Sequence, residues 1–249
     1  MTGFEGKGVV VTGASGGIGR QVALDLAAAG AGVVVHYGGS EAAAQAVVEE
    51  IQAAGGRAVA CQADIAQRAE VEGLLKAGLE AFGRIELLVH SAALSLDGPF
   101  LEMPEDDWRR VIDVNLTGAF HCLQVFGRAM VEAGGGAVVN ISANTAIDGR
   151  VNAANYCASK AGLNMLTQCA ALELAPTVRV NGLALGFFAS PLVDQLYTPE
   201  QQAEAIAAIP LGRMGRFAEV SDAVKYFGSE ASGFITGQTV IMDGGRVRR

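Results

Sequence analysis

Thr12-Gly13-Ala14-Ser15-Gly16-Gly17-Ile18-Gly19 is the stretch on which the fold turns. It follows the β-branched run Val9-Val10-Val11 and opens a segment whose Ile18, Val22, Leu24 and Leu26 can pack inward from a helix. The order is therefore strand, tight turn, helix. Glycines at 13, 17 and 19 let backbone approach a pyrophosphate, with Ser15 and Ile18 beside it, and the helix N-terminus offers free N–H groups and a favourable dipole. A glycine turn alone is more often just a turn. The strand and helix on either side favour the phosphate reading.

Outward from that turn, short Val/Ile runs alternate with longer amphipathic segments. The pattern predicts strands over 8–12, 32–37, 57–62, 86–91, 136–142, 178–184 and 238–242. It predicts helices over 17–29, 41–54, 68–82, 105–133 and 154–175. Strands that are apolar without alternation are covered on both faces. The expectation is α/β: a doubly wound, Rossmann-type domain with a seven-stranded parallel sheet flanked by helices. No linker, repeat or charge block divides the 249 residues, so 1–249 reads as one domain. The segment 186–216 breaks the rhythm with Pro191, Pro199 and Pro210 and a helical patch over 200–208; such excursions often serve as lids or binding loops.

Bulk properties exclude several functions. A net charge of −8 argues against a nucleic-acid partner. The apolar runs are strand-sized, which excludes a membrane span, and the first residues lack a secretory pattern, so a cytoplasmic protein is expected. Cys61, Cys122, Cys157 and Cys169 show no ligand spacing, and His36, His90 and His121 are scattered, so no metal site is expected.

The second informative stretch is Tyr156-Cys157-Ala158-Ser159-Lys160. Tyr and Lys four residues apart share a helix face. An ammonium beside a phenol favours phenolate, making the tyrosine a usable proton donor and acceptor. YxxxK is weak by itself. Joined to Gly13-x3-Gly17-x-Gly19, it resembles the short-chain dehydrogenase/reductase family over essentially the whole chain. Asp64-Ile65, Asn115 within Asp113-Val114-Asn115-Leu116-Thr117-Gly118, Val178-Arg179-Val180-Asn181, and Gly237-Gln238 with Asp243-Gly244-Gly245 match further family segments in order. The likeness is greatest to 3-oxoacyl-[acyl-carrier-protein] reductases and related ketoreductases, and weaker to pteridine reductases.

The resemblance implies an NAD(P)H-dependent oxidoreductase that transfers hydride to a carbonyl. Tyr156 would protonate the alkoxide, Lys160 would hold the ribose and favour phenolate, and Asn115 would link Lys160 to solvent through water. Asp64 and Ile65 would hold adenine, and Ser91, Ala92 and Phe188 would border the cofactor. It also implies a homotetramer, with the helices over 105–133 and 154–175 pairing across a two-fold axis.

Three family signatures are altered. The catalytic serine, thirteen residues before the tyrosine, is Ala143, which has no hydrogen-bonding group. Ser142 taking over by a one-residue shift, a reach by Asn144 or Thr145 or water, and loss of activity all remain open. Asn-Asn-Ala-Gly reads His90-Ser91-Ala92-Ala93, and Pro-Gly reads Leu185-Gly186. The expectation is a ketoreductase, with Ser142 as the nearest stand-in. The alternatives are a pteridine-reductase-like enzyme, though the acid those enzymes place at the serine position is missing, and a cofactor-binding scaffold with a non-redox or regulatory role.

The second strand ends in His36-Tyr37-Gly38-Gly39-Ser40, without the carboxylate that would repel a 2′-phosphate. NADP(H) is therefore favoured, with Tyr37 and Ser40 beside the ribose, and NAD(H) remains open. Phe187, Phe188, Leu192, Val193, Leu196 and Tyr197 would give the lid an apolar face, opposite Leu94, Leu96, Phe100 and Met103; the substrate expected is a hydrophobic or aromatic carbonyl compound.

Overall fold

The structure, a computed structural model, describes residues 3–190, 193, 195 and 197–247. Pro191, Leu192 and Leu196, named above for the lid, lie outside these residues. Strands β1 (Gly8–Thr12), β2 (Gly32–Tyr37), β3 (Arg57–Gln62), β4 (Leu87–His90), β5 (Gly136–Ala143), β6 (Val178–Leu185) and β7 (Thr239–Met242) form one sheet in the order 3-2-1-4-5-6-7. Every pairing is parallel. Strands β1, β2 and β4 are buried along their whole length, which is why their sequences are apolar without alternation.

Helices α1 (Gly17–Ala28), α2 (Glu41–Ala53) and α3 (Arg68–Phe82) follow the first three strands. Where one long helix over 105–133 was expected, there are α4 (Glu105–Ile112), a π-helical turn over Asp113–Thr117, and α5 (Gly118–Glu132). Hydrophobic periodicity cannot reveal such a turn, because the helix axis continues through it. After β5 come a one-turn helix α6 (Thr145–Asp148) and the long α7 (Ala154–Leu174). The lid contains α8 (Pro199–Ala207), opened by a reciprocal Thr198–Gln201 capping box.

Helix α9 (Phe217–Phe227) was not foreseen, although Val220, Val224 and Phe227 carry its period and are buried. It packs on the α1 face of the sheet, in the core that includes Val9, Val22, Leu26 and Val89. The opposite face packs Val10, Val34, Leu88, Val138 and Val180 against residues of α3, α5 and α7, among them Leu74, Phe126 and Ala171. Strand order reverses between β1 and β4, opening a crevice at their carboxyl ends.

Candidate active site

The glycine turn lies at that crevice. Gly13 has φ +67°, and a Cβ there would stand 2.8 Å from Ala92 Cα; one on Gly19 would stand 2.3 Å from Gly13 O. These two glycines exist to let backbone pass backbone. Gly17 has φ +54° and nothing within 4 Å of an added Cβ, and the same space is open at Gly16. Gly16 caps α1 without a side-chain hydrogen bond, which leaves the helix N–H groups free toward the open side. This arrangement fits a dinucleotide pyrophosphate.

Side chains from neighbouring strands hold the turn. Gly13 N–H donates to His36 Nδ1 at 3.0 Å, and His36 Nε2 lies 2.9 Å from the Ala63 carbonyl. That pair of partners makes His36 neutral with its proton on Nε2, and burial lowers its pKa. Thr12 Oγ1 accepts from Ser91 N–H at 3.0 Å and Ala92 N–H at 3.1 Å. Its own hydrogen is left for His90 Nδ1, 3.2 Å away. His90 therefore carries its proton on Nε2, which is buried without a partner among the described residues. Burial, with Lys160 and His36 nearby, pushes the His90 pKa down to about 3. Both histidines are thus structural hydrogen-bonding groups of the turn, a role that the sequence reading missed. Their position at the last or penultimate residue of a strand was the available signal.

At the end of β2, Tyr37 is buried and Ser40 caps α2, accepting a long 3.4 Å bond from Ala43 N–H. Arg20 is held away by an ion pair with Glu50 of α2. Asp64 accepts from Arg110 and from Ala66 N–H, while Ile65 is buried against Gly118. The Phe188 ring packs over Gly215, where an added Cβ would stand 2.4 Å from it.

The other wall is built around α7. Lys160, fully buried, donates from Nζ to the Ile141 carbonyl at 2.8 Å and stands 5.7 Å from the Tyr156 ring centroid. Burial lowers its pKa to about 8. Burial raises that of Tyr156, and the Arg150 guanidinium opposes it. Buried Asn115, in the π-turn, accepts from Leu94 N–H at 2.7 Å and donates to Leu94 O and to Ser159 Oγ. Asn155, also buried, donates to Leu96 O at 2.9 Å. Two amides thus clamp the segment after β4 against α7. Asn155 had not been singled out, though an Asn directly before Tyr156 in the first turn of α7 was visible.

Around Ala143 the candidates separate. Ser142 Oγ lies 3.4 Å from the Lys160 carbonyl, its hydroxyl turned to the α7 backbone. Asn144 donates from Nδ2 to Asp243 at 3.3 Å. Thr145 Oγ1 has no partner among the described residues. On the lid, Phe187 and Tyr197 meet edge to face at 5.4 Å, whereas Phe100 of the facing segment is 75% exposed. A cavity of about 530 Å³ between lid and β7 is lined by Phe187, Pro210, Leu211, Arg213 and Asp243. Neither Tyr156 nor Lys160 lines it. Among the described residues no helix is long and apolar enough to cross a membrane, and no group of His, Cys, Asp and Glu side chains is placed to hold a metal.

Comparison with known proteins gives the same assignment. The family model for short chain dehydrogenases matches residues 7–201. The chain is 40% identical over 240 residues to a 3-oxoacyl-[acyl-carrier-protein] reductase of Staphylococcus aureus, covering 96% of this chain and 97% of the relative. It is 42% identical over 250 residues to one from Synechocystis, covering 99% of each. A crystal structure of a gluconate 5-dehydrogenase from Burkholderia cenocepacia, in complex with NADP and tartrate, superimposes with a TM-score of 0.91 at 31% identity, covering 97% of this chain and 95% of that one. The chain belongs to the short-chain dehydrogenase family and is an NAD(P)-dependent oxidoreductase acting on a CH–OH/C=O group.

Proposed function

We propose that the protein is a ketoreductase that uses NADP(H) and draws its proton from Tyr156. The observation that carries this reading is the placement of Tyr156 and Lys160 on one face of α7, with the ammonium 5.7 Å from the phenol ring and buried. A nicotinamide cofactor bound here would supply the hydride. Gly13, Ser15, Gly17, Ile18 and Gly19 would hold the pyrophosphate at the start of α1. Asp64 and Ile65 would border the adenine, and Ser91, Ala92 and the Phe188 backbone the nicotinamide side.

Tyr156 Oη gives its proton to the oxygen of the reduced carbonyl. Lys160, kept in place by the Ile141 carbonyl, favours the phenolate left behind, and the proton that restores the phenol comes in from solvent by way of the π-turn at Asn115 and Lys160. Thr145 takes the part of the missing serine in orienting the substrate carbonyl. Its support is the unpartnered hydroxyl, against the occupied groups of Ser142 and Asn144.

The preference for NADP(H) rests on the end of β2, where Tyr37-Gly38-Gly39-Ser40 presents no carboxylate and Ser40 keeps a hydroxyl proton to donate. The substrate is a hydrophobic carbonyl compound, such as a 3-oxoacyl thioester, received between Leu94 and Leu96 and the Phe187–Tyr197 pair. The assembly is a homotetramer, for which the exposed Phe120 and Val131 on α5 and Met165 and Leu172 on α7 give an apolar surface. Light scattering at the mass of one chain would remove that element.

The test is stopped-flow oxidation of NADPH and of NADH against ketones, 3-oxoacyl thioesters and pterins. Turnover of 3-oxoacyl thioesters with NADPH preferred is the expected result. Turnover of pterins alone, or an NADH preference, would overturn the substrate or cofactor element respectively.

A further inference from the structure

A second cation stands over the Tyr156 ring. Arg150, from the loop between α6 and α7, places its guanidinium carbon 5.6 Å from the ring centroid, within cation–π range. It is held there from across the crevice: Asp97 Oδ2 accepts from Arg150 Nη2 at 2.6 Å, and Asp97 in turn accepts from Ser95 Oγ at 2.5 Å. Ser95 and Asp97 belong to the same segment after β4 that Asn115 and Asn155 clamp through Leu94 and Leu96. The guanidinium is thus positioned by a chain of hydrogen bonds that starts in the core. We propose that Arg150 is a positioning residue acting on Tyr156, a permanent cation that supports the anionic form through which the tyrosine passes in each turnover.

The charged and titratable groups around the phenol make this specific. From α7 come the Lys160 ammonium and the Cys157 thiol, from the segment after β4 the Asp97 carboxylate, and from the α6–α7 loop Arg150. Burial, Cys157 and Asp97 all oppose phenolate, and Arg150 favours it. Lys160 is a conditional helper: burial brings its pKa to about 8, so its charge fades on the alkaline side. A guanidinium keeps its charge throughout. Asp97, bound to the guanidinium and to Ser95, cancels part of the field, and its effect on the phenol is smaller than that of Arg150.

The inference rests on Tyr156 being the proton donor, and its test is independent of turnover. Tyrosinate absorbance is titrated in the full-length protein, and Tyr156 is isolated by subtracting the same titration of Tyr156→Phe in each background. Arg150→Met is expected to raise the Tyr156 midpoint by about one pH unit, on the order of tenfold less phenolate at a given pH. Arg150→Lys should recover at least about half of that shift, since it restores charge without the planar fork. A midpoint in Arg150→Met within about 0.2 units of the parent, or no recovery in Arg150→Lys, overturns the proposal. Full turnover in Tyr156→Phe would instead remove the reading of Tyr156 while the titration still reported whether Arg150 couples to it.

Discussion

The two walls of the crevice are specified in different ways. On the wall between β1 and β4, what matters is where backbone runs: Gly13 passes Ala92, Gly19 passes Gly13, and Thr12 and His36 fix the turn from behind. On the wall formed by the end of β5 and α7, what matters is which side chains are present. His90-Ser91-Ala92-Ala93 departs from the family pattern and yet leaves the Thr12 bonds to Ser91 and Ala92 in place, because those bonds come from main-chain N–H groups. Ala143 departs by a single residue, and what it changes is a side chain, with no hydrogen-bonding group left at that position. A wall read through its backbone tolerates substitution. A wall read through side chains records it as chemistry.

The contrast can be broken most directly at the extremes. Tyr156→Phe removes only a hydroxyl and should lower kcat by roughly a thousandfold, within the usual range for a lost general acid, while the cofactor Kd stays within about threefold. Nicotinamide absorbance for turnover and fluorescence titration for binding check both halves. Gly13→Ala should do the reverse. It combines φ +67° with a Cβ 2.8 Å from Ala92 Cα, so the turn must move. A cofactor Kd raised by about 30-fold or more is expected, with a stability loss of roughly 1–3 kcal/mol read from urea unfolding. If Gly13→Ala binds normally, the first wall is not set by its backbone and the comparison fails.

Legibility in the sequence follows the same division. All seven strands could be placed, most plainly β1, β2 and β4, where burial on both faces imposes an apolar sequence, and less plainly the edge strands β3 and β7, which are only partly buried. The glycine turn and YxxxK could be read because each is a short contiguous stretch of sequence. The π-turn at Asp113–Thr117 could not, since it changes hydrogen-bond spacing and leaves the apolar pattern alone. The Asn155 clamp and the Arg150–Asp97 pair were equally hidden, each joining residues 53 or 59 positions apart that meet only where the segment after β4 lies against the start of α7 and the loop before it. Helix α9 was a different case: its period was present, but the helix begins directly after the irregular, proline-broken lid.

A finer probe addresses what replaces the serine. Thr145→Val keeps the shape of the side chain and removes the unpartnered hydroxyl. If that hydroxyl orients the carbonyl, kcat should fall by about tenfold to a hundredfold, short of the full cost of an oxyanion donor because the threonine is an imperfect substitute. Ala143→Ser in the Thr145→Val background should then recover most of the loss. A Thr145→Val enzyme with parental kcat would return the role to Ser142 or to water.

The smallest expected effect concerns the histidines behind the first wall, and it separates backbone support from catalysis. His90 is neutral in the folded protein down to about pH 3, while in the unfolded chain it protonates near its ordinary value of about 6.5. A folded pKa below the unfolded one means that the stabilisation is complete above about pH 6.5 and is lost as pH falls toward 3, where the unfolded state binds the extra proton. His36 is shifted in the same direction and adds to the trend. At pH 5.5 the His90 contribution to the loss is about 1–2 kcal/mol relative to pH 8. His90→Asn keeps a polar group beside Thr12 and removes the titration, so its stability between pH 8 and 5.5 should fall less than the parent's by about that amount in urea unfolding. An identical fall in the two proteins would mean that His90 is already protonated in the native state, and the Thr12–His90 bond that holds Ser91 and Ala92 would have to be drawn the other way.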